Sequence, residues 1–79
     1  MERSEIVAKL TDIFKEVFKD NNLTLNDEMT ANDVEAWDSM SHMIMITKVE
    51  ETFNVKFKLR DLNKMKKVGD LIELIGSKL

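Results

Sequence analysis

Ile6, Val7, Leu10, Ile13, Phe14, Val17 and Phe18 recur at the spacing of one helical face, and Glu5, Lys9, Asp12, Lys15, Glu16 and Lys19 fill the rest of the turn. This pattern predicts a first long helix. Val68, Leu71, Ile72, Ile75 and Leu79 form a second such stripe and predict a last helix, its end weakened by Gly76. Between them, Met40 to Phe53 has no Gly or Pro to interrupt it, which predicts a further long helix, helix II. The segment "NVKFKLRD" alternates at Val55, Phe57 and Leu59 like a strand, but no second strand exists to pair with it, so an extended connection is expected. A short third helix is expected over Asp61 to Met65. The fold class is therefore all-α: a four-helix bundle with three long helices and one short one, in a single domain spanning residues 1–79.

From Asp20 to Trp37 the helical period fails and Asn21, Asn22, Asn26 and Asn32 mark a long loop between the first two long helices. Leu23, Leu25, Met29, Val34 and Trp37 are spaced to tuck back onto the core. Thr30 followed by Asp33 reads as a capping box for a short helical turn through Val34. A loop this long in so small a domain is more often functional than idle.

The chain has no cysteine, so disulfides, thiol nucleophiles and thiolate metal sites are excluded and stability rests on packing. "MERSEIVAKL" carries acids and no apolar core of the signal-peptide kind, and the longest apolar run is Met43 to Ile46. An intracellular, cytoplasmic protein without a membrane span is expected, most simply a monomer. The net charge of −3 is unevenly placed: residues 1–55 hold twelve acids against five bases, and residues 56–79 three acids against seven bases.

The stretch "EAWDSMSHM", Glu35 to Met43, sets one serine at the start of helix II, where Asp38 and Ser39 are both good N-cap types. On a helical wheel of about 100° per residue, Met45, Ile46, Val49 and Phe53 form a core face with His42 on the same side. Met40, Met43, Ile44 and Thr47 form a second face beside Ser39. A helix with one core face does not need a second. Either this face is additional core beneath the loop, since methionine fills irregular gaps, or it is an adaptable contact surface around the serine.

Self-contained catalysis at Ser39 is disfavoured. A nucleophilic serine needs a base, an orienting group and an oxyanion hole, whereas the one histidine, His42, follows three residues later on the core side. Nucleic-acid binding by helix II is disfavoured because Asp38, Glu50 and Glu51 face one lysine, Lys48, on the would-be reading helix. A remaining use for an exposed serine at a helix N-terminus is modification by another enzyme. A phosphate ester there meets the positive end of the helix dipole, worth roughly 0.3–1 kcal/mol.

The block "WDSMSHMIMITKVEETFNVKF", entered from an Asn/Asp-rich loop and followed by a short helix and "VGDLIELI", resembles the carrier-protein family, the acyl carrier proteins and their peptidyl relatives. The likeness covers the whole chain in helix order, with "DSM" standing where the family has Asp-Ser-Leu. It implies that Ser39 carries a 4′-phosphopantetheine arm whose thiol holds acyl groups as thioesters. It also implies that Asp38 supports a phosphopantetheinyl transferase in placing metal and coenzyme A. Helix II is then the surface for acyl- or aminoacyl-activating and transferring enzymes, with Met40, Met43, Ile44, Thr47, Glu50 and Glu51 as docking residues. No catalytic residue, no resident metal and no nucleic-acid partner is implied.

Two departures from the family bear on the partners. Ser41 and Ile44 stand where fatty-acid-synthesis carriers are often acidic, and Lys48 adds a positive charge. Lys56, Lys58, Arg60, Lys64, Lys66 and Lys67 form a basic stretch where housekeeping carriers are acidic. A carrier for a dedicated pathway is expected. The alternatives are an aminoacyl carrier of nonribosomal synthesis and an unmodified helical subunit of a larger complex.

Overall fold

The computed structural model describes residues 2–34 and 36–79. The order of elements is α1 (Arg3–Phe18), a 3-10 turn (Ala31–Asp33), α2 (Ser39–Phe53), α3 (Leu59–Asn63) and α4 (Val68–Lys78). Among the described residues there is no strand, and the "NVKFKLRD" alternation resolves into a short connection running into α3. The structure is the small helical bundle that the periodicity predicts.

The apolar stripe of α1 is the spine of the core. Ile6, Leu10, Ile13, Phe14 and Phe18 are buried, and α1 packs against both α2 and α4. The core face of α2 (Met45, Ile46, Val49, Phe53) and that of α4 (Val68, Leu71, Ile72, Ile75) close on it, with Leu10, Phe14, Met45, Val49, Val68 and Ile75 wholly removed from solvent. Each such side chain contributes about 1.5–3 kcal/mol of transfer free energy. Leu79 does not join them: it lies beyond α4 and is half exposed.

Both long helices before the C-terminal region end the same way. Lys19 and Asn54 take left-handed conformations (φ 54° and 55°), and their N–H groups close on Lys15 O and Glu50 O. This capping turn satisfies carbonyls that a helix end otherwise leaves open. Asparagine suits the left-handed region, whereas lysine takes it at a cost.

The third helix begins two residues before its expected start and ends at Asn63. The Asp61 carboxylate accepts the Lys58 N–H at 2.9 Å, which places Asp61 in the first turn rather than at the boundary. Lys78 pairs with the same carboxylate at 3.1 Å and so ties the end of α4 to α3. The Lys58 N–H first, and Lys78 after it, hold the Asp61 carboxyl below its ordinary pKa.

The long loop is anchored at three places. Leu23, Met29 and Val34 are buried, with Leu25 and Trp37 packed against the core. Arg3 grips the Asp27 carboxylate with two bonds of 2.7 and 2.6 Å, and Lys67 reaches Glu28 at 3.0 Å, an ion pair that raises the Lys67 pKa. The N–H groups of Val68 and Gly69 donate to Met29 O (2.9 Å) and Asp27 O (3.0 Å), so the loop backbone caps the N-terminus of α4. Thr30 and Asp33 form the expected capping box around the 3-10 turn, which stops one residue short of Val34.

Candidate functional site

The site is built where the loop turns into α2. Of the two N-cap candidates, Asp38 takes the position. Its backbone is extended (φ −119°), its carboxylate accepts the Ser41 N–H at 2.9 Å, and the Ser41 hydroxyl accepts the Asp38 N–H at 2.8 Å. Ser41 Oγ also donates to Ala36 O at 2.8 Å. The Ser41 N–H, then its hydroxyl, lower the Asp38 pKa, so the carboxylate stays charged through the neutral range. Because Asp38 does the capping, Ser39 is the first residue of the helix. Its side chain is exposed, and its Oγ has no hydrogen-bond partner among the described residues.

An aromatic cluster fixes this corner to the core. The Trp37 ring meets Phe14 edge-on at 5.2 Å and Phe18 at 5.7 Å, and Phe14 meets Phe18 at 5.3 Å. The Trp37 indole N–H donates to His42 Nδ1 at 3.0 Å, the two rings lying within 14° of parallel. His42 is half-buried, and burial lowers its pKa. The accepted bond fixes the neutral ring with its proton on Nε2. Periodicity alone placed His42 on the core side; the structure gives it a partner in the loop and a place at the edge of a groove.

That groove opens beside Ser39 and has a volume of about 520 Å³. Ala31, Trp37, Met43 and Met65 supply apolar walls, and Asp38, His42 and Lys66 supply polar ones. The residues present fit a phosphopantetheine arm: a free hydroxyl for the ester, a helix N-terminus for the phosphate charge, and a mixed apolar and polar trough beside it. Among the described residues no cluster of His, Asp or Glu is arranged to hold a metal ion.

The second face of α2 is surface rather than core. Met40, Met43 and Ile44 are 75%, 50% and 47% exposed, and Thr47 is exposed with its hydroxyl donating to Met43 O. Glu51 is exposed, while the Glu50 carboxylate accepts the Phe57 N–H at 2.9 Å and so serves the turn after α2. Lys48 leans to the α1 side, where it pairs with Glu16 at 3.0 Å. The basic stretch is also partly neutralised, through Lys67 and Glu28. Sequence reasoning placed Asp38 and Ser39 at the start of α2 and left its second face open between core and surface. It missed the Trp37–His42 bond and the form of the groove, whose walls come from three separated stretches, Ala31, Trp37 to Met43, and Met65 with Lys66; the hints were His42 and the lone tryptophan at the loop's end. Glu35, part of the motif quoted above, lies outside the described residues.

Comparison with known proteins points the same way. The phosphopantetheine attachment site family matches residues 8–75. No curated protein matches the chain. Among solved structures, the holo acyl carrier protein of Geobacter metallireducens superposes with a TM-score of 0.88 at 45% identity, covering 92% of this chain and 84% of that one. The acyl carrier protein of Thermotoga maritima superposes with a TM-score of 0.83 at 27% identity, covering 99% and 91%. On this shared fold and family match, the chain belongs to the acyl carrier proteins, whose prosthetic group is 4′-phosphopantetheine.

Proposed function

We propose that Ser39 is the residue on which this carrier bears its arm, and that the chain is a single-domain, non-catalytic shuttle. The observation that carries the assignment is the exposed Ser39 hydroxyl at the first position of α2, left free because Asp38 alone caps the helix. When bound, the prosthetic group supplies a terminal thiol that holds acyl groups as thioesters. The chain's own residues present it. Asp38, kept ionised by Ser41, sets the helix start and offers a carboxylate to a phosphopantetheinyl transferase and its metal. Met40, Met43 and Ile44 form an apolar collar for the enzymes that must reach Ser39, with Thr47, Glu50 and Glu51 further along α2.

The partners are biosynthetic enzymes that load, modify and unload the thioester. The uncharged positions Ser41 and Ile44, and the basic stretch near α3, favour a dedicated pathway over bulk fatty-acid synthesis. Acyl cargo is favoured over aminoacyl cargo because both structural relatives above are acyl carriers. No helix among the described residues is long and apolar enough to cross a membrane. We assign the protein to the cytoplasm as a monomer, where its enzymes and coenzyme A would be met.

Incubation with a broad-specificity phosphopantetheinyl transferase and coenzyme A is expected to add one phosphopantetheinyl mass to the parent chain and none to Ser39→Ala. An unchanged parent mass under conditions that load a control carrier would refute the assignment and favour an unmodified interaction subunit.

A further inference from the structure

Five methionines among the described residues divide by depth. Met29 and Met45 are buried (6% and 0% exposed), Met65 is half-buried on the groove wall, and Met40 and Met43 stand out from α2 at 75% and 50% exposure. Met40 follows Ser39 directly, and Met43 shares the groove wall with it. The chain has no cysteine, so thioethers are its principal targets for two-electron oxidation by a peroxide. The third exposed apolar residue on this face, Ile44, cannot be oxidised in this way.

We infer that Met40 and Met43 form a reversible oxidation site that governs loading of Ser39, an inference that rests on the assignment of Ser39 and its collar above. The chemistry is balanced with a hydroperoxide as oxidant. The thioether sulfur takes the distal oxygen, the O–O bond breaks, an S–O bond forms, and the departing oxygen leaves as water or alcohol after taking up the proton. Sulfur is oxidised by two electrons and the peroxide is reduced by two. Each sulfoxide puts a strong dipole where an apolar anchor stood. Neither side chain contributes to the core, so the fold tolerates the change while the docking collar does not. The buried Met45 is shielded by the same packing that makes it essential.

The test uses the full chain before arm attachment, treated briefly with hydrogen peroxide, quenched, and mapped by peptide mass. Oxygen is expected on Met40 and Met43 and not on Met29 or Met45, with an unchanged helical circular dichroism spectrum. The specificity constant for transferase loading is expected to fall by about fivefold or more, the loss typical of a central interface anchor, and methionine sulfoxide reductase is expected to restore it. In the double variant Met40→Leu and Met43→Leu, compared with its own untreated form, peroxide is expected to change the rate by less than about twofold, because leucine keeps the apolar volume without the sulfur. Equal loading of treated and untreated parent overturns the inference while leaving Ser39 in place. Loss accompanied by unfolding, or an equal loss in the leucine variant, also overturns it. Failure of the untreated parent to load removes the Ser39 assignment itself, and the inference with it.

Discussion

His42 shows how one hydrogen bond converts an ordinary titration into a structural one. Its Nδ1 accepts the Trp37 N–H, so a second ring proton can be added only by breaking that bond, and burial already lowers its pKa below 6.5. In the unfolded chain the ring gains its proton near pH 6.5. The folded form resists until a lower pH. The stability contributed by the neutral ring is therefore fully present above about pH 6.5 and is lost as pH falls through the folded pKa. This is the only histidine, and most carboxylates titrate lower, which isolates the window between about pH 7 and 5. The thermal midpoint of the parent is expected to fall across that window, accompanied by a change in the fluorescence of the single tryptophan, whereas His42→Gln flattens the step. A parent with the same pH profile as His42→Gln would show that the bond carries no proton linkage. Ser39 and Asp38 were visible from their order in the chain; this pairing was not, because its two rings sit on opposite sides of a helix start.

At the scale of the element, α2 is a helix with two apolar faces that the amino-acid pattern cannot rank. The periodicity allowed Met40, Met43 and Ile44 to be either core or surface, and packing decided: α1 packs against α2, whose Met45, Ile46, Val49 and Phe53 are buried while Met40, Met43 and Ile44 stay exposed. Met43→Gln and Ile44→Gln are therefore expected to change unfolding free energy by about 0.5 kcal/mol or less, yet to slow transferase loading and acyl transfer. Val49→Ala, on the opposite face and fully buried, is expected to lose roughly 1–3 kcal/mol by leaving a small cavity. Chemical denaturation of the three variants alongside loading kinetics separates the faces. Strong destabilisation by the glutamine variants with normal loading of the folded fraction would assign that face to stability alone. The short helix α3 carries a related lesson. Its expected start at Asp61 lies two residues late: the Asp61 carboxylate acts as an acceptor within the first turn, and the helix begins at Leu59.

Across the whole molecule, the two glycines separate local propensity from tertiary fit. Both lie in α4, where an isolated helix would gain up to about 1 kcal/mol from alanine at either position. At Gly76 a Cβ meets only the tip of Ile6 at 3.9 Å, an ordinary contact. At Gly69 it would stand 3.1 Å from Asp27 O and 3.4 Å from its Cα. Asp27 cannot easily yield, because its carboxylate is held by Arg3 and its carbonyl accepts the Gly69 N–H. Gly76→Ala is expected to stabilise by about 0.5–1 kcal/mol, and Gly69→Ala to destabilise by about 1–2 kcal/mol once overpacking outweighs propensity. Denaturant melts of the two variants check the signs, and equal gains at both positions would show that the loop gives way.

The amino-acid order by itself determined the three long helices, the Thr30 and Asp33 capping box, the length of the loop and the placing of Asp38 and Ser39 at a helix start. These depend on residues within a turn or two of one another, whose hydrogen bonds and periodicity are local. Only the tertiary structure decided which face of α2 is exposed, that Trp37 joins Phe14, Phe18 and His42 into the support beneath the serine, and that Gly69 is held against Asp27. Those outcomes depend on which surfaces are excluded from water when α1, α4 and the loop close together. Exclusion is a property of the packed chain and is set by contacts between residues far apart in sequence.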